Sequence, residues 1–132
     1  MMQALLDTHI AIWAVALPEK LPPVARDVLE DEANLLYVST VSLWEVAIKH
    51  ELHPDLLSMT AADFADLCRE TGFRILSLEP GHVLSFEMLE ARAGHKDPFD
   101  RMLLAQAQCE GLRFVTHDAK VGGYGKEIVL LV

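Results

Sequence analysis

The chain predicts an α/β fold: a three-layer α/β/α sandwich built on a central parallel sheet of about five strands. Two observations carry that prediction. Short apolar runs alternate along the chain with longer segments of helical period, and the helical segments between runs supply the crossovers that parallel strands need. A third sets the scale. The 132 residues are 52% hydrophobic and 23% charged, which fits a single domain spanning residues 1–132 with a core of its own.

Gln3 to Leu6 reads as the first strand and Thr8 to Val15 as the first helix. Pro22 and Pro23 open a second helix through Glu32, since a proline in the first turn lacks only a donor that would have no partner there. Leu35 to Ser39 is a strand; Val41 to Glu51 and Thr60 to Glu70 are helices, the latter stopped by Gly72. Arg74 to Leu78 is the third strand. Pro80 to Ala91 and Pro98 to Glu110 are helices, the second stopped by Gly111, and Arg113 to Thr116 and Ile128 to Leu131 complete the sheet. His53 to Ser58, Gly94 to Lys96 and Val121 to Lys126 are the loosest segments.

Composition narrows the function. The apolar run Leu5 to Leu17 is broken by Asp7 and His9 and has neither a basic leader nor a small-residue cleavage site, so it does not read as a signal peptide, and it is too short and polar to cross a bilayer. Cys68 and Cys109 give no disulfide framework or metal spacing, and a reducing, cytosolic setting is expected. The net charge of −9 argues against a broad basic nucleic-acid surface. A polyanionic substrate would need a divalent cation, or the scattered Lys49, Lys96, Arg101, Lys120 and Lys126; a basic partner protein would suit the acidic surface equally.

The informative residues are carboxylates. Asp7 follows the first strand and Asp118 follows Phe114-Val-Thr-His117, so both fall at the carboxyl ends of strands, where open α/β sheets bind ligands. Each also suits an N-cap or a turn. Glu45 has Val41, Trp44 and Ile48 as helical neighbours and so borders a buried face. A capping box with Ser42 or an i,i+4 pair with Lys49 accounts for it as well.

In HKDPFDRMLLAQAQ, residues 95–108, Asp97 before Pro98 fits an N-cap followed by a first helical position. Asp100 also suits the positive end of the helix dipole, yet it heads the apolar stripe Leu103, Leu104, Ala107. A carboxylate there should be neutralised, paired or bound to a cation. Several carboxylates without other ligands favour Mg²⁺, with Mn²⁺ as a close substitute. His9, His95 and His117 lie beside the acids, but no H-x-x-x-H or paired-cysteine spacing points to zinc.

Four stretches together, LLDTHIAIW, STVSLWEVAIK, HKDPFDRMLLAQA and FVTHD, resemble the PIN-domain ribonucleases, and specifically the VapC-type toxins of bacterial toxin–antitoxin pairs. The resemblance spans nearly the whole chain, in the family's order. It implies a PIN-like α/β/α sandwich with Asp7, Glu45, Asp100 and Asp118 as the acidic positions around Mg²⁺ or Mn²⁺. Asp97 belongs to the HxDPFDR variant of the motif and is a further candidate ligand, with a helix cap as the alternative. Thr8 and Thr116 match small polar positions, Thr116 as an orienting group. The implied reaction is hydrolysis of an RNA phosphodiester. Arg101, Lys96 and Lys49 are candidate phosphate contacts, with solvated helix charges as the alternative. A cognate antitoxin and a homodimer are the implied partners.

Two other readings compete. A phosphorelay receiver shares the parallel sheet and acidic Mg²⁺ pocket, but it carries paired acids after its first strand, whereas Asp7 is followed by Thr8 and His9. A catalytically silent binding module would need the acids only as caps and ion pairs.

Overall fold

Alternate residues of a strand face opposite sides of a sheet, and in this chain both sides are apolar. In the computed structural model, which describes residues 1–89 and 97–132, Ala4 and Leu6 of the first strand enter one core while Leu5 enters another. The same division separates Val115 from Phe114. Five parallel strands result: β1 (Gln3–Leu6), β2 (Leu35–Ser39), β3 (Arg74–Leu76), β4 (Arg113–Thr116) and β5 (Val129–Leu131). Their spatial order is β3-β2-β1-β4-β5.

Helices cover both faces. On one, α1 (Thr8–Ala16), α2 (Pro23–Glu30) and α4 (Ala61–Thr71) contribute Ile10, Ala25, Phe64 and Cys68 to the core. On the other, α6 (Pro98–Glu110) contributes Leu103, Leu104 and Ala107, and α5 (Pro80–Met88) packs on α6. The remaining helix, α3 (Thr40–Leu52), sends Val46 to the first core and Val41 to the second.

Chain order positions the site. From β1 the chain moves outward to β2 and then β3; it returns to lay β4 against the other side of β1. The order reverses between β1 and β4, and such a switch point opens a crevice at the carboxyl ends of the strands.

Several boundaries shift from the sequence expectation. The second helix ends at Glu30, not Glu32, because Asp31 starts a turn: its Oδ1 accepts the Ala33 N–H at 3.0 Å and its carbonyl accepts the Asn34 N–H at 3.0 Å. The third strand stops at Leu76, before Leu78, whose N–H donates to the Thr40 hydroxyl at 3.1 Å. The described part of α5 ends at Met88; the expectation that it reaches Ala91 extends outside the described residues. Of the segment Val121 to Lys126, expected to be loose, the part up to Tyr124 belongs to a 3₁₀ helix, Ala119–Tyr124, with Val121 and Tyr124 buried. Glycines 122, 123 and 125 disguised it, since they remove apolar periodicity without preventing a tight turn. Among the described residues no helix is long and apolar enough to cross a membrane.

Candidate active site

Asp7 is the first residue beyond β1. Its backbone N–H donates to the Val115 carbonyl at 2.9 Å, which anchors it against β4. It is also the N-cap of α1, its Oδ1 accepting the His9 N–H at a long 3.3 Å. Its Oδ2 accepts a stronger bond, 2.6 Å, from the Thr116 hydroxyl. The side chain is only 4% exposed. Burial pushes its pKa above the ordinary carboxylate value, the Thr116 bond and His9 oppose that rise, and the charge of Glu45 adds to it.

Thr116, at the end of β4, joins two acids. While it donates to Asp7, its oxygen accepts the Asp118 N–H at 3.1 Å. Asp118 caps the following 3₁₀ helix, accepting the Lys120 N–H at 3.0 Å. One fully buried hydroxyl thus fixes carboxylate-bearing segments on both sides of the switch point.

Glu45 comes from the second turn of α3 and is 4% exposed. Ser39 caps that helix through the Val41 N–H at 2.9 Å, which rules out the capping box between Ser42 and Glu45. Ser42 instead bonds the Thr8 hydroxyl at 2.7 Å, tying α3 to α1. The expected i,i+4 pair is present: Lys49 Nζ lies 2.6 Å from Glu45 Oε2. Glu45 Oε1 is buried with no hydrogen-bond partner among the described residues.

In α6 the two aspartates separate as their positions predict. Asp97 Oδ1 accepts the N–H groups of Phe99 at 2.9 Å and Asp100 at 3.4 Å, a helix cap. Asp100, one turn in, is half-buried, and its pKa is pushed up to about 8. Burial is the largest cause; the negative charges of Asp7, Asp97, Glu45 and Asp118 add to it. Asp100 therefore stands within electrostatic reach of all four other acids. Their oxygens are nonetheless not drawn into a tight cluster: among the described residues, only His82, Cys109 and Glu110 bring three ligating atoms within 4.8 Å of one another.

A hard divalent cation fits the acidic set. Its donors are carboxylate oxygens from two helices and two strand-to-helix junctions, and the partnerless Glu45 Oε1 is a buried acceptor of the kind a cation satisfies. The His82 group does not fit zinc. His82 Nδ1 accepts the Glu79 N–H at 2.9 Å, so in the neutral ring Nε2 carries the proton, directed at Glu110 Oε2 3.0 Å away, and presents no lone pair.

The expected phosphate contacts are differently engaged. Arg101 lies over the Phe86 ring, 4.7 Å from its centroid, and donates to the Leu89 carbonyl at 3.4 Å. Lys49 is held by Glu45, and Lys96, like His95, lies outside the described residues. His9 and His117 are exposed and flank the Trp13 ring at 6.2 and 6.0 Å.

Sequence reasoning missed a buried polar chain behind the site. Ser39 Oγ donates to Gln106 Oε1 at 2.5 Å, and Gln106 Nε2 lies 3.3 Å from His82 Nδ1. Gln106 inside the buried run Leu103 to Ala107 was its one visible signal, because a fully buried amide must find partners.

The fold and these residues define an α/β/α protein with Asp7 and Asp118 beside the switch point of a parallel sheet and Glu45 and Asp100 within electrostatic reach of Asp7. The model for the PIN domain matches residues 4–126, and the chain belongs to the PIN-domain family. It is 29% identical over 121 residues to Ribonuclease VapC22 of Mycobacterium tuberculosis, covering 92% of this chain and 91% of that protein. Among solved structures it is similar to VapBC2 of Rickettsia felis bound to a promoter DNA fragment, with a TM-score of 0.74 at 17% identity over 99% of both chains. It is also similar to FitAcB of Neisseria gonorrhoeae, with a TM-score of 0.56 at 21% identity over 98% of this chain and 96% of that one.

Proposed function

We propose that this chain is a metal-dependent endoribonuclease and the toxin of a toxin–antitoxin pair, working as a single PIN domain. The observation that carries the reading is Glu45 Oε1, a buried carboxylate oxygen without a partner among the described residues, on a residue whose charge acts on both Asp7 and Asp100. A purely structural acid in that position would be expected to have both oxygens satisfied.

Asp7, Glu45, Asp100 and Asp118 would hold Mg²⁺, or Mn²⁺ in its place. When bound, such a cation activates water for attack on the phosphodiester and offsets charge on the phosphoryl oxygens. The chain's residues do the rest. Thr116 turns Asp7 Oδ2 and leaves Oδ1 with only a weak cap bond. Lys49 holds Glu45 Oε2, so the other oxygen keeps its acceptor capacity. Burial and then four like charges oppose the ionisation of Asp100, and a bound cation would favour its charged form. An antitoxin bringing Arg or Lys to these acids would meet the same charges, and the likeness to VapBC-5 of Mycobacterium tuberculosis, a member of the VapBC family of toxin–antitoxin systems, supports such a partner. A homodimer is part of the same reading.

Incubating purified protein with RNA tests the chemistry. Cleavage with Mg²⁺ and none with chelator is expected, and Asp7→Asn and Asp100→Asn should both be inactive while folded. Bacterial expression tests the role: growth arrest by the wild type alone, relieved by an adjacent-gene product, supports a toxin. Harmless expression of all three proteins, with no cleavage, would favour a silent binding module.

A further inference from the structure

Two aromatic residues immediately precede two of the acids: Trp44 before Glu45, and Phe99 before Asp100. Their rings meet across α3 and α6 edge to face, with centroids 5.2 Å apart and planes at 63°. Trp44 is nevertheless 62% exposed, an unusual place for a large ring. The pair lines a cleft of about 160 Å³ with Val41, Leu78, Pro98 and Met102, none of them charged.

We propose that Trp44 and Phe99 form a stacking platform for one unpaired base of the RNA strand, beside the phosphodiester held at the acidic pocket. The inference rests on the nuclease reading of that pocket. Charge selects the occupant. In a chain of net charge −9 whose Lys49 and Arg101 are engaged by Glu45 and by Phe86 and Leu89, few phosphate contacts are left among the described residues expected to make them. The base is the neutral, flat part of a nucleotide, and its stacking on an aromatic ring does not depend on charge. An edge-to-face contact consumes one ring face and one edge, so the pair retains a ring face for a third ring. The contact also fixes Trp44 relative to α6, so little side-chain freedom is lost when a base arrives. The platform requires single-stranded RNA, because paired bases do not expose their faces.

The full-length protein would be tested with an unstructured oligoribonucleotide, in chelator for binding and in Mg²⁺ for turnover. Trp44→Leu should weaken binding about tenfold, within the range for one stacked base, and Trp44→Tyr by less than about threefold. The slope of affinity against salt should be the same for all three proteins, because no phosphate contact is removed. With Mg²⁺ the loss should appear in KM rather than kcat. In Trp13→Phe, which leaves Trp44 as the sole tryptophan, the oligoribonucleotide should quench the fluorescence and an abasic ribose-phosphate oligomer should not. Unchanged affinity in a folded Trp44→Leu protein would overturn the platform. So would a Trp44→Leu protein that loses a protein partner but keeps RNA affinity, which would assign the cleft to an apolar side chain of that partner. The nuclease reading fails separately, if wild-type protein does not cleave RNA in Mg²⁺ or Asp100→Asn still does.

Discussion

Replacing Asp100 with Asn should stabilise the metal-free protein, and the gain should depend on pH. In the folded chain the carboxyl ionises at about 8, against an ordinary value of 3.8, first because it is buried and then because four other carboxylates face it. Between those two values the folded state holds a proton that the unfolded state has lost, so stability falls as pH rises from about 4 to 8. That rise, at about 1.4 kcal/mol per pH unit, sets a ceiling of about 6 kcal/mol. The side chain is partly exposed, and solvent screening brings the figure down to about 2 kcal/mol. Asparagine resembles the protonated acid in shape and cannot ionise. In chelator at pH 8, Asp100→Asn should therefore melt about 5–10 °C higher than wild type, and the two should converge toward pH 4. Added Mg²⁺ should raise the melting temperature of the wild type and leave the variant nearly unmoved. Denaturation curves from pH 4 to 8, with and without Mg²⁺, measure all of this. A variant less stable than wild type in chelator at pH 8, or a difference that does not change with pH, would refute the electrostatic account.

Thr116→Val removes both the donor to Asp7 Oδ2 and the acceptor of the Asp118 N–H, and should cost about 1–3 kcal/mol in urea unfolding. Cation affinity should drop about tenfold in calorimetric titration, with Thr116→Ser restoring most of it. Lys49→Met leaves Glu45 Oε2 without its 2.6 Å partner and should destabilise by about 1–3 kcal/mol. In a double-mutant cycle Glu45→Gln should offset part of that loss. Asp97→Ala should cost about 1 kcal/mol, Asp97→Ser much less, and both should still cleave RNA if Asp97 acts only as the cap; loss of cleavage by a folded Asp97→Ser protein would make it part of the site.

Local interactions were legible because they are written in neighbouring residues. Asp97-Pro98 reads as a cap and first turn, and the Asp97 bonds to Phe99 and Asp100 are what that geometry requires. Glycines 72 and 111, which end α4 and α6, hold φ of +96° and +67°, a conformation glycine alone adopts at little cost. Glu45–Lys49 follows from helical spacing. The strands of the parallel sheet were visible as short apolar runs separated by helices.

What the sequence left open needed partners distant along the chain. Both a capping box with Ser42 and a pair with Lys49 suited Glu45; α3 starting at Thr40 with Ser39 as its cap excluded the box, and Ser42 bonds Thr8, 34 residues away, instead. Asp7 and Thr116 are 109 residues apart, and their bond exists because β4 pairs with β1 rather than with β3. No local pattern encodes strand order, which follows from how two apolar faces are buried at once. The sequence by itself determined which residues cap, turn and alternate, since those are contests among adjacent groups. Tertiary structure alone decided that the charges of Asp7, Glu45 and Asp118, from separate segments, act on Asp100, because that repulsion depends on distance through space.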